Sequence, residues 1–174
     1  MSWLTVFTAA TLSVWAGQAP APSLEQQVRA AFIVNFVDYT TWPANAPRDL
    51  VLCMLIGDAQ LLDAATAAVS SGSTGRRQLS VRRLTSAADV TGCAVLFVGQ
   101  DRKDQWPAVR NQAGAGILTI GEDEGVLDQG GVINLLQVGT RIRFEINLRE
   151  ANRRGIRLSA KLLRLATRVV QDEN

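Results

Sequence analysis

The rhythm of apolar and polar positions changes near Gly130, with continuous apolar runs before it and strict alternation after it. In "RIRFEINL", Ile142, Phe144, Ile146 and Leu148 fall on one face of an extended chain, and Arg141, Arg143, Glu145 and Asn147 fall on the other. A period of two predicts a strand with one buried and one wet side. Together with "GGVINLLQV" before it, this strand forms a predicted hairpin, and "REANRRG" after it reads as a short helix.

Upstream the pattern is helical and then blocky. Ser23 with Gln26 three residues later is a capping-box signature, and Val28, Ala31, Phe32, Phe36 and Tyr39 follow at helical spacing. A helix is therefore predicted over residues 23–42, stopped by Trp42-Pro43. Ile33, Val34 and Val37 widen its apolar arc, so it needs cover on more than one side. Residues 50–56, "LVLCMLI", are continuously apolar, as a strand buried on both faces requires, and Asp58 is placed to cap a helix bearing Leu61, Leu62, Ala65 and Val69. Further strands are predicted over 79–84, where Arg82-Arg83 marks a sheet edge or strand end, and over 93–99 and 116–121. A helical piece from Asp101 is interrupted at Trp106-Pro107, with Trp106 expected to be partly exposed. Strands alternating with helices predict an α/β three-layer sandwich: a four-stranded, mostly parallel core plus a C-terminal antiparallel hairpin.

At 174 residues, 47% of them hydrophobic and 20% charged, the chain suits one domain, placed at 23–170. Residues 1–16, "MSWLTVFTAATLSVWA", are apolar from Trp3 to Ala16, and no charge follows until Glu25. That run is too short to cross a bilayer and fits a secretory signal, with small residues at Val14-x-Ala16 and cleavage expected after about residue 16, at the latest after 21. Stable membrane insertion after cleavage is not expected. Export permits a disulfide, so Cys53 and Cys93, 40 positions apart and without metal-ligand spacing, form either a disulfide or two buried thiols.

Histidine is absent, which removes the commonest general base and metal ligand. No dinucleotide cradle, phosphate loop or nucleophile elbow occurs, so no catalytic, cofactor-binding or metal residue is nominated, and nucleic acid is not an expected partner. Charge is more informative. From Arg141 to Arg168 nine basic residues face two acidic ones, a local charge of +7 in a chain of net charge +2. Such a stretch is either a solvated face or a docking surface for an acidic partner, for which Arg141, Arg143, Glu145, Arg153, Arg154 and Arg157 are the candidates. "GDAQLL" and "GEDEG" place acidic residues just past strand ends, where open sheets form ligand crevices. Glu122, Asp123 and Glu124 read as a solvated turn rather than a metal site. A small-ligand binder using the strand ends near Gly57, Gly99 and Gly121 is the alternative to a protein-docking role.

Taken in order, "QQVRAAFIVNFVDYTTWP" from Gln26, "LCMLIG" from Leu52, "RQLSVRRL" from Arg77, "GCAVLFV" from Gly92, "GILTIGE" from Gly116 and the segment from Gly130 to Ala166 resemble the YfiR family of exported bacterial proteins. The resemblance implies a single three-layer α/β domain, often dimeric, periplasmic and without catalytic activity or cofactor. It also implies a partner: the periplasmic sensor domain of an inner-membrane diguanylate cyclase, held inactive by contact. Some members carry four cysteines. Cys53 and Cys93 match the earlier pair, and the later pair has no counterpart here, so redox control through it does not transfer. The family pattern around "RFEINL" gives Phe144 and Asn147 structural roles.

Overall fold

A computed structural model describes residues 20–72 and 78–171, so the predicted signal segment lies outside the described residues. Helix α1 (Leu24–Asp38) begins with the expected capping box: the Gln26 amide donates to Ser23 Oγ at 3.3 Å and the Ser23 amide to Gln26 Oε1 at 2.8 Å. The remaining elements are β1 (Thr40–Thr41), β2 (Leu50–Leu55), α2 (Ala59–Ser70), β3 (Leu79–Leu84), β4 (Val95–Val98), α3 (Trp106–Gln112), β5 (Leu118–Gly121), β6 (Ile133–Val138), β7 (Arg141–Asn147), α4 (Leu148–Arg153), β8 (Arg157–Leu158), α5 (Ala160–Leu165) and β9 (Arg168–Val170). Short 3-10 turns at Ala87–Asp89 and Gln100–Gln105 flank β4.

Helix α1 stops four residues short of the predicted end. Thr40 and Thr41 instead pair antiparallel with Leu158 and Arg157, and the Ser159 amide donates to Tyr39 O at 2.9 Å. A distant segment of chain competes here for the backbone groups that a longer helix would use, and two β-branched residues give them up readily. Asp58 caps α2 as expected, accepting from the Leu61 amide at 3.0 Å.

The main sheet has seven strands in the order β3-β2-β4-β5-β6-β7-β9. Its parallel part contains five strands rather than four, because β6, the first strand of the hairpin, also pairs in parallel with β5 through Ile120–Ile133 and Gly121–Asn134. β7 is antiparallel to β6, and β9, three residues long and carrying no legible period, adds in parallel to β7. β3 is the opposite edge, consistent with its two exposed arginines.

Alternation along the buried strands sorts the core into two layers. Leu52, Met54, Phe97 and Ile120 join α1 and α2 on one face; Cys53, Leu55, Leu96 and Val98 join Trp106 and Val109 of α3 on the other. Phe36 of α1 meets Phe144 of β7 edge-on, with ring centroids 5.1 Å apart. Trp106 is buried at 1% exposure, not partly exposed. Pro107 takes the solvent side of the first turn of α3 and the indole turns inward. Cys53 and Cys93 are joined in a disulfide, Cα to Cα 5.7 Å, inside the second layer. Arg82 covers this bond, its Nη2 lying 3.3 Å from Cys53 Sγ and 3.1 Å from Cys93 Sγ while donating to Thr91 O at 2.6 Å.

Candidate functional site

The basic residues of the C-terminal third do not form one patch. Arg141, Arg143 and Glu145 lie on the same face of β7, opposite to buried Phe144 and Ile146 and paired across the hairpin with Val138, Leu136 and Asn134. Arg141 and Arg143 are exposed, and Val138 beside them is 59% exposed. Glu145 is engaged: Arg168 of β9 donates to it from Nε at 2.9 Å and Nη2 at 3.1 Å, and this pairing holds its carboxyl below the ordinary carboxylate range in spite of partial burial. Arg157 is exposed on β8, in the separate two-stranded sheet.

Arg154 requires a correction. It is 2% exposed, donates to Ala113 O at 2.7 Å, Gly114 O at 3.2 Å and Gly130 O at 3.2 Å, and is paired with Glu150. A side chain committed to three carbonyls and a carboxylate inside the fold is not available to a partner. Arg153 is exposed and shares the same Glu150, at 2.6 Å and 2.8 Å. Burial pushes the Glu150 carboxyl up, but the hydrogen bonds and charges of Arg153 and Arg154 outweigh it and leave the group below its ordinary range. Asn147 is structural, as expected: its Oδ1 accepts from the Glu150 amide at 2.9 Å to cap α4, and its Nδ2 donates to Leu127 O at 3.0 Å.

A second feature lies where the parallel strands end. A cleft of about 420 Å3 opens between the start of α1, the segment after β5 and the projecting hairpin. Glu25 and Arg29 supply one wall, Glu122, Asp123 and Glu124 another, and Leu135 and Ile142 on the inner face of the hairpin an apolar side. Within the acidic triplet Glu124 is solvated, as adjacency suggests, but Glu122 is not. Glu122 receives both Arg29 Nε, at 2.8 Å, and Arg29 Nη2 in a bidentate pair, with only 9% of its side chain exposed. Burial pushes its carboxyl upward and Arg29 holds it back part of the way, while Asp58 and Asp101 add to the upward push. For Arg29, burial works against the charge and Glu122 outweighs it, so the guanidinium is held more firmly protonated than usual.

Of the three strand-end glycines expected near a crevice, Gly99 and Gly121 are buried and Gly57 is exposed but held against Asp101. A Cβ on Gly57 would stand 2.5 Å from Asp101 Oδ2, and one on Gly99 would stand 2.7 Å from Asp101 Oδ1. Asp101 accepts the Gly57 amide at 2.6 Å and so ties the ends of β2 and β4 together. Gly121 is closed over by Trp106 and Val126. The cleft therefore sits beside β5 and β6, not over β2 and β4. Sequence spacing missed Arg29 and the hairpin residues Leu135 and Ile142, which reach the cleft only through folding.

An open, largely parallel sheet between two helical layers, with a cleft at the strand ends, places the chain among the α/β three-layer sandwiches. Residues 26–167 match the YfiR/HmsC-like family, and the chain belongs to it. With that membership go a periplasmic location and a regulatory or binding role. Two solved structures share the fold. The ABC domain of Streptococcus pneumonia, solved in complex with L-Trp, aligns with a TM-score of 0.60 at 12% identity over 81% of this chain, and a conserved domain protein of Vibrio cholerae with 0.56 at 13% over 83%. The chain spans 60% of the length of each.

Proposed function

We propose that the protein represses an inner-membrane diguanylate cyclase by binding that enzyme's periplasmic sensor domain. The observation that carries this reading is the outer face of the β6–β7 hairpin, exposed and bearing Arg141 and Arg143 beside Val138, in a chain of the YfiR/HmsC-like family. A regulator without chemistry works by preferring one state of its target, since equal affinity for both shifts nothing. Arg141 and Arg143 steer the protein to an acidic surface and set the register, while desolvated contacts at Val138 and Leu136 supply most of the affinity. Arg153 and Arg157 contribute only long-range charge. The family resemblance also implies a homodimer, which light scattering on the periplasmic protein checks.

Deleting the gene while measuring cellular cyclic di-GMP, paired with a pull-down from membranes, tests the reading. A rise in the nucleotide and recovery of a cyclase are expected. No rise together with no cyclase recovered refutes it.

A further inference from the structure

A second cavity, of about 200 Å3, lies at the amino ends of β4 and β5, the opposite end of the parallel strands from the cleft beside the hairpin. Trp42, Pro43 and Pro47 reach it from the segment after β1, and Ala94, Ala115 and Ile117 from the segments that lead into β4 and β5. No charged side chain lines it. Backbone amides around it are already spent: Ala94 donates to Val51 O at 3.0 Å, Gly116 to Arg154 O at 2.7 Å and Ala46 to Pro43 O at 3.0 Å. The indole of Trp42 is different. The residue is 6% exposed, and its buried Nε1–H meets no acceptor among the described residues. Thr41, paired with Arg157 just before it, and the fixed backbone angle of Pro43 just after it hold the indole in place.

These features limit what fits. A buried N–H without an acceptor is destabilising, so a molecule that brings one gains a hydrogen bond without first breaking another. One water would supply it, but at about 30 Å3 it fills a small part of the space, and walls of proline, alanine and isoleucine give further waters few partners. An ammonium offers nothing to an indole, which only donates. A carboxylate would leave water for a site that holds no cation. A neutral carbonyl on a compact apolar body matches the donor and the walls together. The volume lies below the roughly 300 Å3 at which sites for larger ligands begin, which limits that body to a single ring.

We infer that this cavity binds a small neutral cyclic carbonyl compound, a lactam or lactone, whose oxygen accepts from Trp42 Nε1 and whose methylenes lie against Pro43, Pro47 and Ile117. The site shares no residue with the docking face of the hairpin or with the cleft beside it.

The test is titration of protein purified from the periplasm with δ-valerolactam, read by NMR of the Trp42 indole N–H and by calorimetry. Trp106, the other tryptophan of the described residues, is the internal reference. Piperidine, an ammonium at neutral pH, and cyclopentanecarboxylate are controls of similar size that carry a charge in place of the neutral carbonyl. A saturable downfield shift of the Trp42 N–H is expected from the lactam and from neither control. Ala115→Leu, at an exposed position, narrows the cavity and should weaken binding about tenfold. Trp42→Phe keeps a buried ring, removes the donor and should weaken binding by a similar factor. The inference is overturned if the lactam produces no saturable shift, if a charged control moves the resonance equally, if Ala115→Leu binds like the parent, or if the Trp42 N–H contacts water alone in the presence of the lactam. No cyclase enters the measurement, so failure here leaves the regulatory reading standing, and failure of the cyclase pull-down leaves this one standing.

Discussion

Arg154, the C-cap of α4, donates from Nε to Oε1 of Glu150, one turn earlier, across 2.8 Å, with the Arg154 side chain 1% exposed. The pair fastens α4 to the segment after α3 and to Gly130, because the rest of the guanidinium is spent on carbonyls there. Removing the cation leaves three carbonyls without this donor and the largely buried carboxylate with Arg153 alone. Arg154→Ala is expected to lose about 3 kcal/mol or more of stability, whereas Arg153→Ala, which removes an exposed partner of the same carboxylate, loses less than about 1 kcal/mol. Urea denaturation of the two variants side by side checks the contrast; equal losses would contradict the assigned roles.

Acid sensitivity follows from the carboxylates with lowered values. Glu145 and Glu150 both titrate below their ordinary value of 4.5 in the folded protein. The stability they contribute is complete above that value and is lost as pH falls through the lower folded-state values. Glu122, raised by burial, has the opposite sign: its contribution is present at low pH and lost as pH rises through its folded value. Glu150→Gln should therefore lower stability at neutral pH and flatten the decline between about pH 5 and pH 3. Chemical denaturation repeated across that range measures both effects.

The Cys53–Cys93 bond closes a loop of 40 positions. Chain-entropy reasoning assigns such a crosslink about 4 kcal/mol. Cys53→Ala/Cys93→Ala should lower the denaturation midpoint accordingly while preserving the far-UV dichroism of the sheet. Mass spectrometry of the nonreduced protein should find no free thiol.

Gly121 ends β5 beneath Trp106, and an added Cβ would also stand 2.8 Å from Val126 Cγ2. Since neither an indole nor a packed valine yields easily, Gly121→Ala is expected to cost about 1–3 kcal/mol. Thermal unfolding checks this, with Gly114→Ala as a control at a position where a Cβ meets nothing within 4 Å.

Reversing charge on the hairpin should act on encounter rather than folding. On the proposed function, Arg141→Glu/Arg143→Glu is expected to slow association with a cyclase sensor domain about tenfold at low salt, with the melting temperature nearly unchanged. Stopped-flow association over a salt series tests it. Arg157→Glu, on a different sheet, should change the rate less.

Local pattern alone determined the elements whose signal is short-range. The Ser23 capping box, the Asp58 cap, the apolar blocks of β2, β4 and β5 and the alternation of β7 each depend on residues within a few positions of one another, and each formed, the three strands one to three residues shorter than their apolar runs. The family was legible for the same reason, since its motifs are contiguous. Tertiary structure decided what depends on chain segments meeting. β8 took Thr40 and Thr41 from the end of α1, β6 extended the parallel core by joining β5, and β9 formed because β7 offered an edge. Charge shows the difference most plainly. Sequence counts Arg143 and Arg154 alike within one basic stretch, but the strand turns the first to solvent and α4 turns the second onto Glu150 and three carbonyls. In the same way, Arg29 and Glu122 are separated by 93 positions and no spacing joins them; only the packing of α1 over the end of β5 makes them a pair and leaves the cleft beside them negative.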